Sequence, residues 1–280
     1  MPIIDFRIRP LYKEYGNGFT DESIQRFIHA WGYTYQGALK DRKMESLLQE
    51  MDENDIRQAV VPGRLIPGVD NHLLFDIQKD YPGRFVIFPF LDAEDVDGAL
   101  KIIEEDVIGG KGKGVSMEPL PLGSAGVNFD DHRLYPIYEK LEKHQIPLLV
   151  TVSGLMNAYV DNTMPAQIDR MLSDFPQLQL VCAHAGWPYV SEMVTVAFRH
   201  PNLYLLADFE ASKGPGTGAI REAAEYMLPD QILFASSFPL GPITEGIEWI
   251  RSWGLSKKTE EKIFYRNAVE HFPNLWDFKE

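Results

Sequence analysis

Cys182 is the only thiol in this 280-residue chain. A lone cysteine excludes a disulfide framework and any cysteine-built zinc cluster, and it fits a reducing compartment. Basic charge is scarce as well: 27 Lys plus Arg stand against 41 Asp plus Glu, a formal net charge of −14. A nucleic-acid backbone or an anionic membrane surface repels such a polyanion, so neither is expected as a partner. A local basic pocket for a small anionic molecule remains compatible with that balance. No apolar run approaches the roughly 20 residues that span a bilayer. The opening MPIIDFRIRP carries an acid and arginines where a signal peptide would be apolar. A cytoplasmic protein is therefore expected, with a homo-oligomer left open. Internal repeats, low-complexity tracts and Ser/Gly linkers are also missing.

What the chain does have is alternation. Short β-rich runs recur at Pro2–Ile8, Arg57–Pro62, Arg84–Leu91, Gly112–Met117, Ile146–Val152, Leu178–His184, Leu203–Asp208 and Gln231–Ser236. The fifth and sixth are continuously apolar, as strands buried on both faces are. Helical patterns lie between. Met44, Leu47, Leu48 and Met51 form one apolar stripe over 41–54, and Leu134, Ile137, Tyr138 and Leu141 form another over 134–144. Shorter patterns cover 166–175 and 222–228, and 259–271 closes the chain. These stripes are core packing. Eight strands alternating with helices predict a single domain over 1–280, an α/β (β/α)8 TIM barrel, which typically takes ~250 residues. A doubly wound open sheet is the alternative. No Gly-x-Gly-x-x-Gly follows the first run, however, and the GGKGKG stretch at 109–114 precedes a strand, where it reads as a turn.

In such barrels chemistry occurs at the C-terminal ends of the strands. The polar residues there are Arg7 and Arg9, Arg64, Asp92, Glu118, Thr151 and Ser153, His184, Asp208 and Glu210, and Ser236 and Ser237. Residues two apart on a strand face one side, so Arg7 and Arg9 are expected to point together into the mouth. Guanidiniums converging there suit a carboxylate or phosphate, unless Asp5, Glu118 or Asp208 pairs with them structurally. His184 ends an apolar run, as a catalytic acid or base would. Glu118 and Asp208 read equally well as proton carriers and as arginine partners. No Gly-x-Ser-x-Gly elbow surrounds Ser236 or Ser237, which argues against a serine nucleophile. Trp187 reads as loop packing ahead of substrate stacking, and because aromatic rims are common in ligand pockets it joins Arg64, Thr151, Ser153 and Ser237 in the candidate substrate-binding set.

At these residues the sequence resembles the amidohydrolase superfamily, in its amidohydrolase-related branch of metal-dependent hydrolases and decarboxylases. IIDFRIRP resembles that family's opening Ile-Asp-x-His-x-His, and GKGVSMEP and IPLLVTVSG its fourth and fifth strands. LVCAHAGWPYVSEM is close to its sixth-strand motif, with His184 as the family histidine. NLYLLADF and QILFASSFP follow, the latter resembling Ile-Leu-Phe-Gly-Ser-Asp-Tyr-Pro. The resemblance implies a metal held by first-strand histidines, a fifth-strand histidine or lysine, the sixth-strand histidine and an eighth-strand aspartate. Here Arg7 and Arg9 replace the first pair, Thr151 the fifth-strand ligand and Ser237 the aspartate, leaving His184 alone. Arginine carries permanent charge and cannot ligate a cation, and zinc generally takes at least three protein ligands. Neither metal nor other cofactor is expected.

The expectation is a metal-independent hydrolase or lyase with His184, Glu118 and Asp208 as catalytic residues. Its arginines would gather a small carboxylate or lactone for hydrolysis, isomerisation, hydration or decarboxylation. Two alternatives stay open: a catalytically silent anion-binding protein of the same fold, and a metal-dependent hydrolase whose site is rebuilt from His184, Glu118, Asp208 and Asp92.

Overall fold

The structure, a computed structural model, describes residues 1–64, 69–118, 126–155 and 159–278. Its strands are β1 (Ile3–Asp5), β2 (Ile56–Pro62), β3 (Phe85–Phe88), β4 (Phe90–Leu91), β5 (Val115–Met117), β6 (Leu148–Thr151), β7 (Leu180–Ala183), β8 (Leu203–Ala207) and β9 (Ile232–Phe234). Each falls in one of the β-rich runs except that β2 begins one residue early, and β3 and β4 share the run 84–91. Pro89 splits them, because proline has no N–H to give a ladder.

All pairings are parallel, in the orders β1-β2-β3 and β4-β5-β6-β7-β8-β9. Backbone bonds also join the end of β1 to β9: Phe6 N–H to Phe234 O at 2.9 Å, Ser237 N–H to Arg7 O at 2.9 Å, and Arg9 N–H to Phe238 O at 2.8 Å. Two apolar clusters match a (β/α)8 barrel. One fills the inside with Ile4, Val60, Val86, Leu149, Val181, Leu206 and Leu233, closed below by Phe272, Leu275 and Trp276. The other lies between strands and helices and takes the remaining alternate positions.

Helices connect the strands as the stripes predict. α4 (Met44–Glu53) leads into β2 and buries Met44, Leu47 and Met51. α5 (Tyr135–His144) buries Ile137, Tyr138 and Leu141 before β6. α6 (Pro165–Asp174) leads into β7. The 222–228 pattern begins earlier than expected, as α7 (Thr217–Glu225). Residues 257–271 are continuously helical.

The apolar pattern does not announce an excursion between β1 and α4, made of α1 (Lys13–Gly16), α2 (Asp21–Ala30) and α3 (Ala38–Asp41). Thr20 caps α2 by accepting from Ser23 N–H. The excursion is tied to the strand-end face: Tyr15 O–H donates to Pro62 O at 2.7 Å, and Lys213 Nζ to Gly32 O at 2.8 Å. Through it Phe19 reaches the arginines. Among the described residues no helix is long and apolar enough to cross a membrane.

Candidate active site

His184 follows β7, Asp208 follows β8, Ser237 lies three residues past β9, and Thr151 ends β6. The chain turns sharply at these exits. His184 (φ +60°), Ala185 (φ +46°) and Ser237 (φ +54°) are all left-handed without being glycine. Such conformations cost of order 1–3 kcal/mol each and persist where surrounding contacts enforce them, commonly at functional sites. Gly186 (φ +70°) completes the turn after β7, and a Cβ there would lie 2.5 Å from Met193 Cε.

Arg7 is the hub. It is fully buried, and its Nη1 donates to His184 Nε2 at 3.1 Å and to Ser237 Oγ at 3.0 Å. Its Nη2 donates to Thr151 Oγ1 at 3.1 Å, and Nη1 lies 3.8 Å from Asp208 Oδ2. The guanidinium therefore stands among positions 151, 184 and 237, where the family resemblance places metal ligands. His184 Nδ1 contacts Asp208 at 2.9–3.0 Å, and Asp208 also accepts from Ser237 Oγ at 2.9 Å and His184 N–H at 3.2 Å. Thr151 passes its own hydroxyl hydrogen to Glu118 Oε1 at 3.2 Å. Arg64 Nε donates to the same oxygen at 3.0 Å. One hydrogen-bonded network thus runs from Arg64 through Glu118, Thr151 and Arg7 to His184 and Asp208.

Arg9 does not share these partners. It is 2% exposed, and its Nε and Nη1 are buried without any hydrogen-bond partner. Its guanidinium carbon lies 5.6 Å from the centre of the Phe19 ring, and that of Arg64 lies 5.3 Å from the same ring. The alternation expected of Arg7 and Arg9 fails because β1 ends at Asp5, so period two no longer governs positions 7–9.

Burial and charge set the protonation states. Burial pushes Asp208 up, but His184, Arg7 and Ser237 outweigh it and hold the carboxyl below its usual range. Glu210 goes the other way. Burial raises it, and the pull of His184 and of Ser153, which donates to it at 2.9 Å, does not compensate. Its Oε1 lies 3.6 Å from His184 Nδ1. Burial pulls Arg7 down against the carboxylates around it. Burial also lowers Arg64, yet Glu118 more than restores it. Beneath the site, burial pushes Asp5 up to about 7 despite the hydrogen bonds from Ser236 and Arg7 N–H.

The structure brings Arg7, Thr151, His184, Asp208, Ser237, Glu118 and Arg64 into one network and sets Ser153 beside it through Glu210. Ser236 instead bonds Asp5 below. Trp187 packs against Trp31, and its indole N–H donates to Pro215 O at 3.1 Å. Asp92 lies apart, accepting from Glu94 N–H in its own turn. Two further residues of the site have no role that the sequence assigns. Glu210 is visible there only as a second acid after β8. Phe19 carries no local signal, since the excursion alone brings it to the arginines.

The fold has close counterparts among solved structures. An uncharacterised TIM-barrel protein from Bordetella bronchiseptica is 30% identical, with a TM-score of 0.89 over 98% of this chain and 99% of its own. A 2,6-dihydroxybenzoate decarboxylase from Rhizobium is 16% identical, with a TM-score of 0.68 over 98% and 99%. A 4-oxalomesaconate hydratase from Rhodopseudomonas palustris is 18% identical, with a TM-score of 0.64 over 98% and 96%. No curated protein matches the chain. The amidohydrolase family model matches residues 4–273, and with the barrel and the strand-end cluster in place, the chain belongs to the amidohydrolase family of hydrolases and lyases.

Proposed function

We propose that this protein is a metal-independent amidohydrolase-fold enzyme that hydrolyses, isomerises, hydrates or decarboxylates a small carboxylate or lactone at the barrel mouth. One observation carries the reading: Arg7 Nη1 donates to His184 Nε2 and stands 3.8 Å from Asp208. The residues present do not fit a divalent cation. A cation ligated at positions 151, 184 and 237 would meet a permanent positive charge already bonded to all three side chains.

The guanidinium supplies fixed charge instead. A substrate oxygen that gains negative charge beside Arg7 is stabilised by a donor already in place, in a buried site of low dielectric. His184 Nε2 accepts from Arg7, so its lone pair is the proton-accepting position of the ring. Asp208 accepts from Nδ1–H, fixes the ring and stabilises the imidazolium that results. Glu210, whose carboxyl burial raises, lies 3.6 Å from His184 Nδ1 and accepts from Ser153 Oγ at 2.9 Å. All four reactions need this pairing of oxyanion stabilisation and proton transfer. The Rhizobium and Rhodopseudomonas proteins, a decarboxylase and a hydratase in this fold, support carboxylates as the class to test.

Screening lactones and hydroxy-, keto- and aromatic acids tests the proposal. Turnover is expected, and Arg7→Ala and His184→Ala are expected to abolish it. Activity that survives both substitutions would remove the site assignment. The same bond from Arg7 to His184 Nε2 favours a second reading, a silent anion-binding protein, because it leaves the base engaged. Ligand-induced thermal stabilisation without turnover of that ligand would select it.

A further inference from the structure

The three arginines of the mouth are not equivalent. Arg7 is matched by Asp208 at 3.8 Å, and Arg64 by Glu118 at 3.0 Å. Arg9 has no ion pair among the described residues, and two of its buried nitrogens lack any acceptor. A buried guanidinium without an acceptor is expensive, and the cost is relieved when an anion arrives.

We propose that Arg9, seated against Phe19, is the anion anchor of the site, so that the substrate carries one carboxylate and one negative charge. This rests on the reading of the mouth as a carboxylate site and narrows it. Pairing leaves one guanidinium free, so one negative charge is neutralised on binding. A second carboxylate would find Arg7 and Arg64 already compensated and would face Glu118, Asp208 and Glu210, which line the same network. Two buried like charges repel strongly where the effective dielectric is low. Phe19 is the positioning residue. Arg9 and Arg64 both rest on its ring, at 5.6 and 5.3 Å, which holds the Arg9 head in place by cation–π attraction. The carboxylate end of the substrate would then sit beside Phe19 while its reacting end meets Arg7 and His184, which narrows the reactions to hydrolysis, isomerisation or hydration.

Calorimetric titration of wild-type protein with benzoate, benzamide and isophthalate tests this. The three probes share a ring and differ in charge. Benzoate is expected to bind roughly tenfold or more tighter than benzamide, the worth of a charge-assisted hydrogen bond. Isophthalate is expected to bind no tighter than benzoate. Arg9→Met should bring benzoate down to the benzamide level, and Arg9→Gln provides the same reading if the methionine variant does not fold. Phe19→Leu should narrow the benzoate-to-benzamide ratio, which a purely structural loss would leave unchanged. Tighter binding of isophthalate, or a benzoate preference that survives loss of Arg9, overturns the inference and leaves the carboxylate reading standing. A wild-type protein that does not distinguish benzoate from benzamide overturns both.

Discussion

Nη1 of Arg7 lies 3.1 Å from Nε2 of His184. Arginine can only donate, so Nε2 must be the accepting nitrogen, and the ring hydrogen sits on Nδ1, facing Asp208. A permanent cation thereby fixes the tautomer of the only histidine in the network, and Asp208 balances the charge of that cation.

Removing the cation should therefore be costly. Arg7→Met leaves the Asp208 carboxylate buried without its compensating charge, and the expected loss is about 3–5 kcal/mol in chemical denaturation. Adding Asp208→Asn should recover a large part of that loss. If the single variant is as stable as wild type, Arg7 and Asp208 are not a coupled pair.

Asp5 gives a pH signature. Its folded-state value of about 7 lies above the ordinary 3.8, so its stabilising protonation is fully present below 3.8 and is lost as pH rises through 7. Unfolding free energy should fall across that window by about 4 kcal/mol on account of this group, at 1.36 kcal/mol per pH unit. Asp5→Asn should flatten the profile. Its amide oxygen can still accept from Arg7 N–H and Ser236 N–H, and its amide nitrogen can donate to Ser236 Oγ. An unchanged slope between pH 4 and pH 7 would show that Asp5 titrates normally.

Gly186 has a narrower role. Its φ of +70° disfavours a residue with a Cβ, and an added Cβ would lie 2.5 Å from Met193 Cε, which would have to shift. Gly186→Ala should destabilise by roughly 2–4 kcal/mol, combining the left-handed penalty with overpacking against a buried methionine. Met193→Ala should cost less in the Gly186→Ala background than in wild type, by the overpacking part, and equal costs in both would place the whole penalty in the backbone.

How far the sequence goes is clear from particular residues. Val150, Val181 and Leu205 sit in continuous apolar runs because their strands are covered on both faces, and such runs are legible without a structure. His184, Asp208 and Ser237 are legible too, as polar residues ending those runs. The break at Pro89 does not stand out as a gap between ladders in an otherwise apolar run, although the missing N–H explains it. Arg7 and Arg9 look like a matched pair, yet β1 ends before them and their side chains take different partners. Phe19 is invisible in the sequence, because its place depends on tertiary ties such as Tyr15 to Pro62 and Arg42 to the Phe19 carbonyl.

The central claim is that Arg7 does the electrostatic work that a metal does elsewhere in this fold, and elemental analysis of dialysed protein, with turnover measured before and after chelation, tests it most directly. Substoichiometric metal and turnover unaffected by chelator are the predicted result. Stoichiometric zinc or manganese that resists dialysis, together with loss of turnover on chelation, would contradict it.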